Sequence, residues 1–298
     1  MIDNRPEQGL LGWYTTHARD LPWRNTREPW PILVSEVMLS QTQVARVAKP
    51  WHDFLASFPS PERCALASPA AVIDAWAGLG FNRRALNLHR SARMIVEHHH
   101  GQVPRELPDL LALPGVGPYI ARAVRVFAFE MPDAVVDTNV ARVLARFHHK
   151  PLTRAKAQAL ADDLVARQNP WAWNQAMIEL GATVCRSRSP ECRQCVFAAS
   201  CGWRAAEYAD PDPARVGFGA SKPQGRFEGS DRQARGRIVD ALRAGSAPRP
   251  GIASQIDWGN EHERLERIID GLIGDGLVAE HGGVLSLPAA TDRTPSGP

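Results

Sequence analysis

The chain has 298 residues, room for one large domain or two ordinary ones, and its 44% hydrophobic and 22% charged content excludes wholesale disorder. With 35 Lys and Arg against 32 Asp and Glu the formal charge is +3, a mildly basic balance compatible with nucleic acid but no proof of it. The sequence has no apolar run of about eighteen residues, and MIDNRPEQGL lacks an apolar signal core, so neither a membrane span nor export is expected and the chain reads as cytoplasmic.

Residues 1–205 read as continuous helical protein, with apolar residues at helical spacing and Pro, Gly, Ser and Asp as punctuation. Helices are expected over 32–58, 70–77, 84–99, 119–129, 139–147, 154–167 and 171–181. Between them, Leu113-Pro114-Gly115-Val116-Gly117-Pro118-Tyr119 leads into an apolar helix. Gly115 and Gly117 permit a tight turn and close backbone approach, Pro118 suits the first helical position, and the N–H groups of Gly115, Val116 and Gly117 at a positive helix end suit a phosphate. An ordinary helix–helix turn is the plainer alternative.

Four of the five cysteines follow in one stretch, Cys185, Cys192, Cys195 and Cys201, spaced C-x6-C-x2-C-x5-C. A disulfide framework does not suit a chain without an export signal. The single C-x-x-C departs from the paired knuckles of zinc sites, so the spacing favours a [4Fe–4S] cluster and leaves zinc as the alternative. Beyond this loop, residues 206–228 are rich in Gly, Pro and Ala and read as a linker. Residues 229–288 then read as helix, helix and hairpin, a small winged-helix-like module, and 289–298 as a disordered tail.

Two carboxylates are candidates for chemistry. Glu36 lies in PWPILVSEVMLSQTQVARV, where Leu33, Val37, Met38 and Leu39 make most helix faces apolar. That setting predicts partial burial and a carboxyl that keeps its proton near neutrality, against the alternative of a solvated helix Glu. Asp137 in VVDTNVARVLARF stands where a helix N-cap is expected, and caps and helix dipole together predict a lowered pKa and a fixed anion. One protonated acid and one anion are what departure of a group from a sugar carbon requires.

Taken together, LPGVGPYIARAV, VDTNVARVLARF and the cysteine loop, in that order, resemble the helix-hairpin-helix DNA glycosylases with an iron–sulfur cluster, the endonuclease III superfamily. SEVMLSQTQV and GLGFNRRALNLH resemble the MutY-type adenine glycosylases within it. The resemblance implies an all-α fold of two helical lobes with a [4Fe–4S] cluster held by Cys185, Cys192, Cys195 and Cys201. It implies excision of adenine mispaired with 8-oxoguanine or guanine in double-stranded DNA by a monomer, and a thymine or oxidised-pyrimidine glycosylase of the same superfamily is the alternative. By the same resemblance Glu36 is the proton donor, Asp137 the stabilising anion, and Tyr119 and Asn139 their supports. Arg19, Trp23, Leu39 and Gln175 line the adenine pocket, and Gln41 and Phe81 plug the helix stack.

Tyr119 falls eighteen residues before Asp137, where bifunctional relatives carry a Schiff-base lysine; the chain has no lysine between Lys49 and Lys150, so an imine has no amine to form from. Some features depart from the family. Ser40 replaces a Gln, Phe81-Asn82 replaces Tyr-Tyr, and 60 residues cannot build the Nudix-like domain with which longer relatives read 8-oxoguanine. The C-terminal region resembles instead the shortened module of actinobacterial members.

Overall fold

The computed structural model describes residues 5–220, 225–259 and 261–289. Residues 221–224 of the expected linker, and all of the expected tail except Ala289, lie outside them. The first half of the chain forms α1 (Arg5–His17), α2 (Pro29–Leu39), α3 (Ala48–Ser57), α4 (Pro61–Leu66), α5 (Pro69–Asp74), α6 (Arg83–His99), α7 (Leu107–Ala112), α8 (Pro118–Phe129) and α9 (Thr138–Phe147). There follow α10 (Arg154–Leu164), α11 (Pro170–Thr183), α12 (Gly202–Ala205) and α13 (Asp231–Arg243). The C-terminus adds β1 (Ala247–Pro248), α14 (Ile252–Gln255), α15 (His262–Gly274), β2 (Ala279–His281) and β3 (Val284–Ser286). No described helix is long and apolar enough to cross a membrane.

The helix starts follow side-chain chemistry. Ser60, Ser68, Asp137, Thr153, Asn169 and Ser230 each accept a hydrogen bond from a backbone N–H in the first turn of the helix they precede. Each such cap is worth about 1 kcal/mol. The helix expected over 32–58 is broken into α2 and α3. Gln41 adopts the left-handed region at φ 64°, which ends α2, and the chain crosses a short 3₁₀ turn at Val44–Arg46 before α3 begins.

Contacts divide the chain into two compact units. The first takes the described residues of 1–32, 105–107 and 117–223. In it α11 packs on α1 and α9, and α9 also meets α10 and α12. The core is built from Leu10, Ala141, Leu144, Ala176 and Leu180, all essentially removed from water. Residues 206–220, expected as a linker, are built into this unit. Asp212 is buried and accepts hydrogen bonds from Arg146, the Phe218 N–H donates to Leu152 O at 2.8 Å, and Gly217, at φ 115°, passes so close to Leu152 that a Cβ would lie 2.6 Å from its carbonyl oxygen.

The second unit takes the described residues of 33–104, 108–116 and 224–298. Its long helix α6 buries Leu86, Leu88, Ala92 and Ile95 and packs on α4 and α5. The C-terminal module belongs to this same unit rather than standing apart. Arg243 Nη2 donates to Ile73 O at 2.8 Å, Ala70 N–H to Pro288 O at 3.0 Å, and Arg83 pairs with Asp275 at 3.2 Å. Within the module α13 packs on α15, burying Ile238, Val239 and Leu242 from one and Leu265, Ile269 and Leu272 from the other. Its antiparallel sheet runs β1-β3-β2, with Ala247 opposite Leu285 and Glu280 opposite Leu285 on the other side. Helix, strand, two helices and two strands is the element order of a winged helix; β1 and α14 are additions to the expected helix, helix, hairpin.

Candidate active site

In the first unit Asp137 caps α9. Its Oδ1 accepts the Val140 N–H at 2.7 Å, and its Oδ2 accepts Asn139 Nδ2 at 2.6 Å. The cap is the expected one, but its electrostatic consequence is the reverse of the expectation. Burial pushes the Asp137 carboxyl above the ordinary carboxylate range, outweighing the bonds from Val140 and Asn139 and the charge of Arg142. The network continues past Asn139, whose Oδ1 accepts Arg142 Nη2 at 2.7 Å. Arg142 also donates to Gly181 O at 2.7 Å and, through Nε, to Cys185 O at 2.6 Å. Gly181 makes the approach possible, since a Cβ there would sit 2.7 Å from Asn139 O. Asp137 is thus tied through Asn139 and Arg142 to the start of the cysteine loop.

The four thiols expected as ligands are brought together. Cys185, Cys192, Cys195 and Cys201 line one cavity, walled by aromatic and aliphatic side chains including Phe147, Phe197 and Trp203. None of them is in a disulfide, and Arg146 Nη1 lies 3.4 Å from Cys185 Sγ. Among the described residues no three His, Cys, Asp or Glu side chains converge closely enough to hold a single metal ion.

The expected pocket residues of the first unit also gather. Arg19 donates to the fully buried Glu179 at 2.6 and 3.0 Å, Arg24 donates to Glu179 at 2.7 Å, and Arg24 Nε reaches Gln175 Oε1 at 2.8 Å, with Trp23 buried beside Arg24 in one short 3₁₀ turn. Burial works to raise the Glu179 carboxyl, but the hydrogen bonds and charges of Arg19 and Arg24 prevail and hold it below its ordinary range. Arg24 and Glu179 were not singled out from the sequence. The signal was present, since Glu179 lies one helical turn after Gln175 on an otherwise apolar helix and needs a cation to be buried there.

The second unit carries Glu36. It lies on α2 among buried Leu33, Val34, Val37 and Met38 and is itself only 4% exposed, so burial rather than solvation is the outcome. Leu39, at the end of the same helix, is half-buried. Gln41 and Phe81 are both exposed and both left-handed, Phe81 at φ 49°. One guanidinium ties their two loops together. Arg84 Nη1 donates to the carbonyls of Val37, Met38 and Ser40, and its Nη2 to Thr42 Oγ1, Leu79 O and Gly80 O. Burial draws the Arg84 pKa down to about 10, still cationic at neutral pH.

At the hairpin, Gly115 adopts φ 80° and lies against Asn87, as a tight turn requires. The Val116 N–H is committed to Leu113 O at 3.0 Å, which removes it from the expected phosphate donors. Gly117 caps α8, and its carbonyl accepts the Ala121 N–H at 3.0 Å. Tyr119 lies half-buried in this first turn.

Residues 34–166 match the family model of the HhH-GPD superfamily base excision DNA repair protein. Adenine DNA glycosylases of Mycobacterium tuberculosis and Mycolicibacterium smegmatis are each 41% identical over 91% of this chain, covering 90% and 92% of their own lengths. The chain belongs to the adenine DNA glycosylases of the HhH-GPD superfamily. It is thus a DNA glycosylase, and the mycobacterial matches are too long to leave out its C-terminal module. The human adenine DNA glycosylase, also 41% identical, matches 64% of this chain and 38% of its own. Among solved structures, a thermostable thymine-DNA glycosylase superposes with a TM-score of 0.65 at 29% identity over 68% of this chain and 98% of its own. A trapped endonuclease III–DNA intermediate shares the fold at a TM-score of 0.60 and 22% identity over 70% of this chain and all of its own.

Proposed function

We propose that this glycosylase removes adenine paired with 8-oxoguanine or guanine by hydrolysis of the N-glycosidic bond. The observation that carries the reading is Glu36, an acid held in an apolar helix at 4% exposure. A purine leaves a sugar readily once protonated, and a pyrimidine has less use for such a donor. The target nucleotide is extruded from the duplex, a few kcal/mol being recovered from pocket contacts. Glu36 delivers a proton to N7, and the ionised Asp137 stabilises the oxocarbenium sugar. Tyr119 and Asn139 support Asp137, and Asn139 does so through the hydrogen bond already described. Water then adds at the sugar carbon with Glu36 as base. With tyrosine at 119 no imine forms, so the product is an abasic site in an uncut strand. Single-turnover assays on A·8-oxoG, A·G, G·T and thymine-glycol duplexes test the reading. Adenine release from the first two, with strand breakage only after alkali, is expected; faster thymine release from G·T would overturn it.

The four thiols fit an inorganic cluster. They line a shared cavity, no disulfide consumes them, and a guanidinium stands beside one sulfur. A [4Fe–4S] cluster takes one thiolate per iron and does not need the sulfurs to converge on one centre, whereas a single zinc does. When bound, the cluster cross-links residues 185–201 without taking part in a hydrolysis that moves no electron. We expect about four irons and four sulfides per purified chain, and loss of both with lower thermal stability in Cys201→Ser. One zinc per chain would refute the assignment.

A further inference from the structure

Within the second unit a groove of about 1130 Å³ runs between loops 40–46 and 78–84 on one side and α13 of the C-terminal module on the other. Its lining includes six arginines, Arg46, Arg83, Arg84, Arg232, Arg235 and Arg243, against two acids, Asp240 and Asp275. Four of these cations are engaged within the protein: Arg84 latches the two loops, Arg83 and Arg235 both pair with Asp275, and Arg243 pairs with Asp240 and donates to Ile73 O. Even so, the wall keeps a cationic surplus.

The groove also presents exposed aromatic faces, Phe81 at 40% and Phe227 at 53% exposure, each with a guanidinium over its ring at 5.6 and 5.2 Å from Arg84 and Arg232. Exposed rings of this size are costly in water unless something covers them. Gln41 and Gln43, also in the lining, offer exposed amides. The backbone at Gln41 and Phe81 is held in the left-handed region, a strain that side chains other than glycine adopt only when the surroundings enforce it. Arginines for phosphate, rings for stacking and amides for base edges form the chemistry that grips a nucleic-acid strand. An apolar partner helix would bury the wall's surplus of cations over anions without supplying anions to match it.

We infer that this groove takes a segment of the DNA strand and that the C-terminal module is its second wall, a DNA-contacting element rather than a cap. Arg232 on α13 and Phe227, just before the module, are its contacts from that side. The inference rests on the chain's membership among DNA glycosylases and not on which base is excised.

The full-length chain is tested with a fluorescent duplex carrying a stable abasic analogue. Phe227→Ala/Arg232→Ala is expected to bind about tenfold more weakly and to flatten the slope of log affinity against log salt by about 1. Arg267→Ala, on an exposed part of α15 that does not line the groove, is expected to bind as wild type. Wild-type binding by the double variant, or an equal loss in Arg267→Ala, overturns the inference. A photoreactive benzoylphenylalanine at position 227 supplies a readout independent of stability: crosslinking to the duplex is expected, and crosslinking to protein alone overturns it. Should the chain crosslink through position 227 yet release no adenine from any mismatch, the excision reading falls and the groove stands. Excision without crosslinking sinks the groove alone.

Discussion

Glu36→Gln is expected to abolish adenine release in single-turnover assays while changing duplex affinity by less than about threefold. The substitution keeps size and shape, so α2, packed through Leu33, Val34, Val37 and Met38, has no cause to rearrange. What it removes is a transferable proton. An amide donates hydrogen bonds but does not protonate N7, and general acid catalysis by one side chain is worth about 10²–10⁴ in rate. On the proposed mechanism the same residue is also the base for the attacking water, so the loss is expected at or beyond the upper end. Binding and rate must be measured separately, because a variant that fails to bind would mimic the same loss. Adenine release within tenfold of wild type would remove Glu36 from the mechanism and reopen the thymine reading, for which the 29%-identical thymine-DNA glycosylase is the structural precedent.

How legible was all this in the sequence? Features written in local order were readable. The cap at Asp137, the turn at Gly115 and the clustering of the four cysteines depend on neighbours within a few residues, and the structure places them so. Features that depend on what a side chain meets across the fold were not readable. Arg84 sits unremarkably in a helix start, yet joins loops more than forty residues apart in sequence. The segment 206–220 has linker composition, but Arg146 and Leu152 hold it down. Likewise a continuous apolar period over 32–58 conceals a break, because the left-handed Gln41 carries no glycine to announce it. Glycine marks such positions only where no larger network enforces them.

Asp137 shows most sharply how a correct local reading can mislead about charge. A cap and a helix dipole each favour the carboxylate, which argues for a lowered pKa. Its wider surroundings turn the balance, with burial as the largest influence and the pKa raised in consequence. Ionising Asp137 therefore costs the fold free energy, as is common for groups at functional sites.

The sign of that cost gives the second large prediction. With the folded pKa above the unfolded value of about 3.9, the folded chain binds more protons between the two values, so stability falls as pH rises through that window. Below about pH 3.9 both states are protonated and the contribution is whole; above the folded pKa it is gone. Asp137→Asn cannot ionise and loses this dependence. Its Oδ1 can still accept the Val140 N–H, though its amide nitrogen opposes Asn139 Nδ2 and forfeits that bond, at all pH values alike. The difference in unfolding free energy, variant minus wild type, is therefore expected to rise as pH increases above about 4, by about 1.4 kcal/mol for every tenfold by which folding tightens the carboxyl's hold on its proton, while adenine release is lost throughout. Denaturant unfolding of both proteins across that range measures it. A difference that instead falls with pH would mean the cap and Arg142 outweigh burial, and the permanent anion read from the sequence would be restored. On the proposed mechanism it is ionised Asp137 that stabilises the sugar cation, so its raised pKa is expected to move the acid limb of the wild-type excision rate upward.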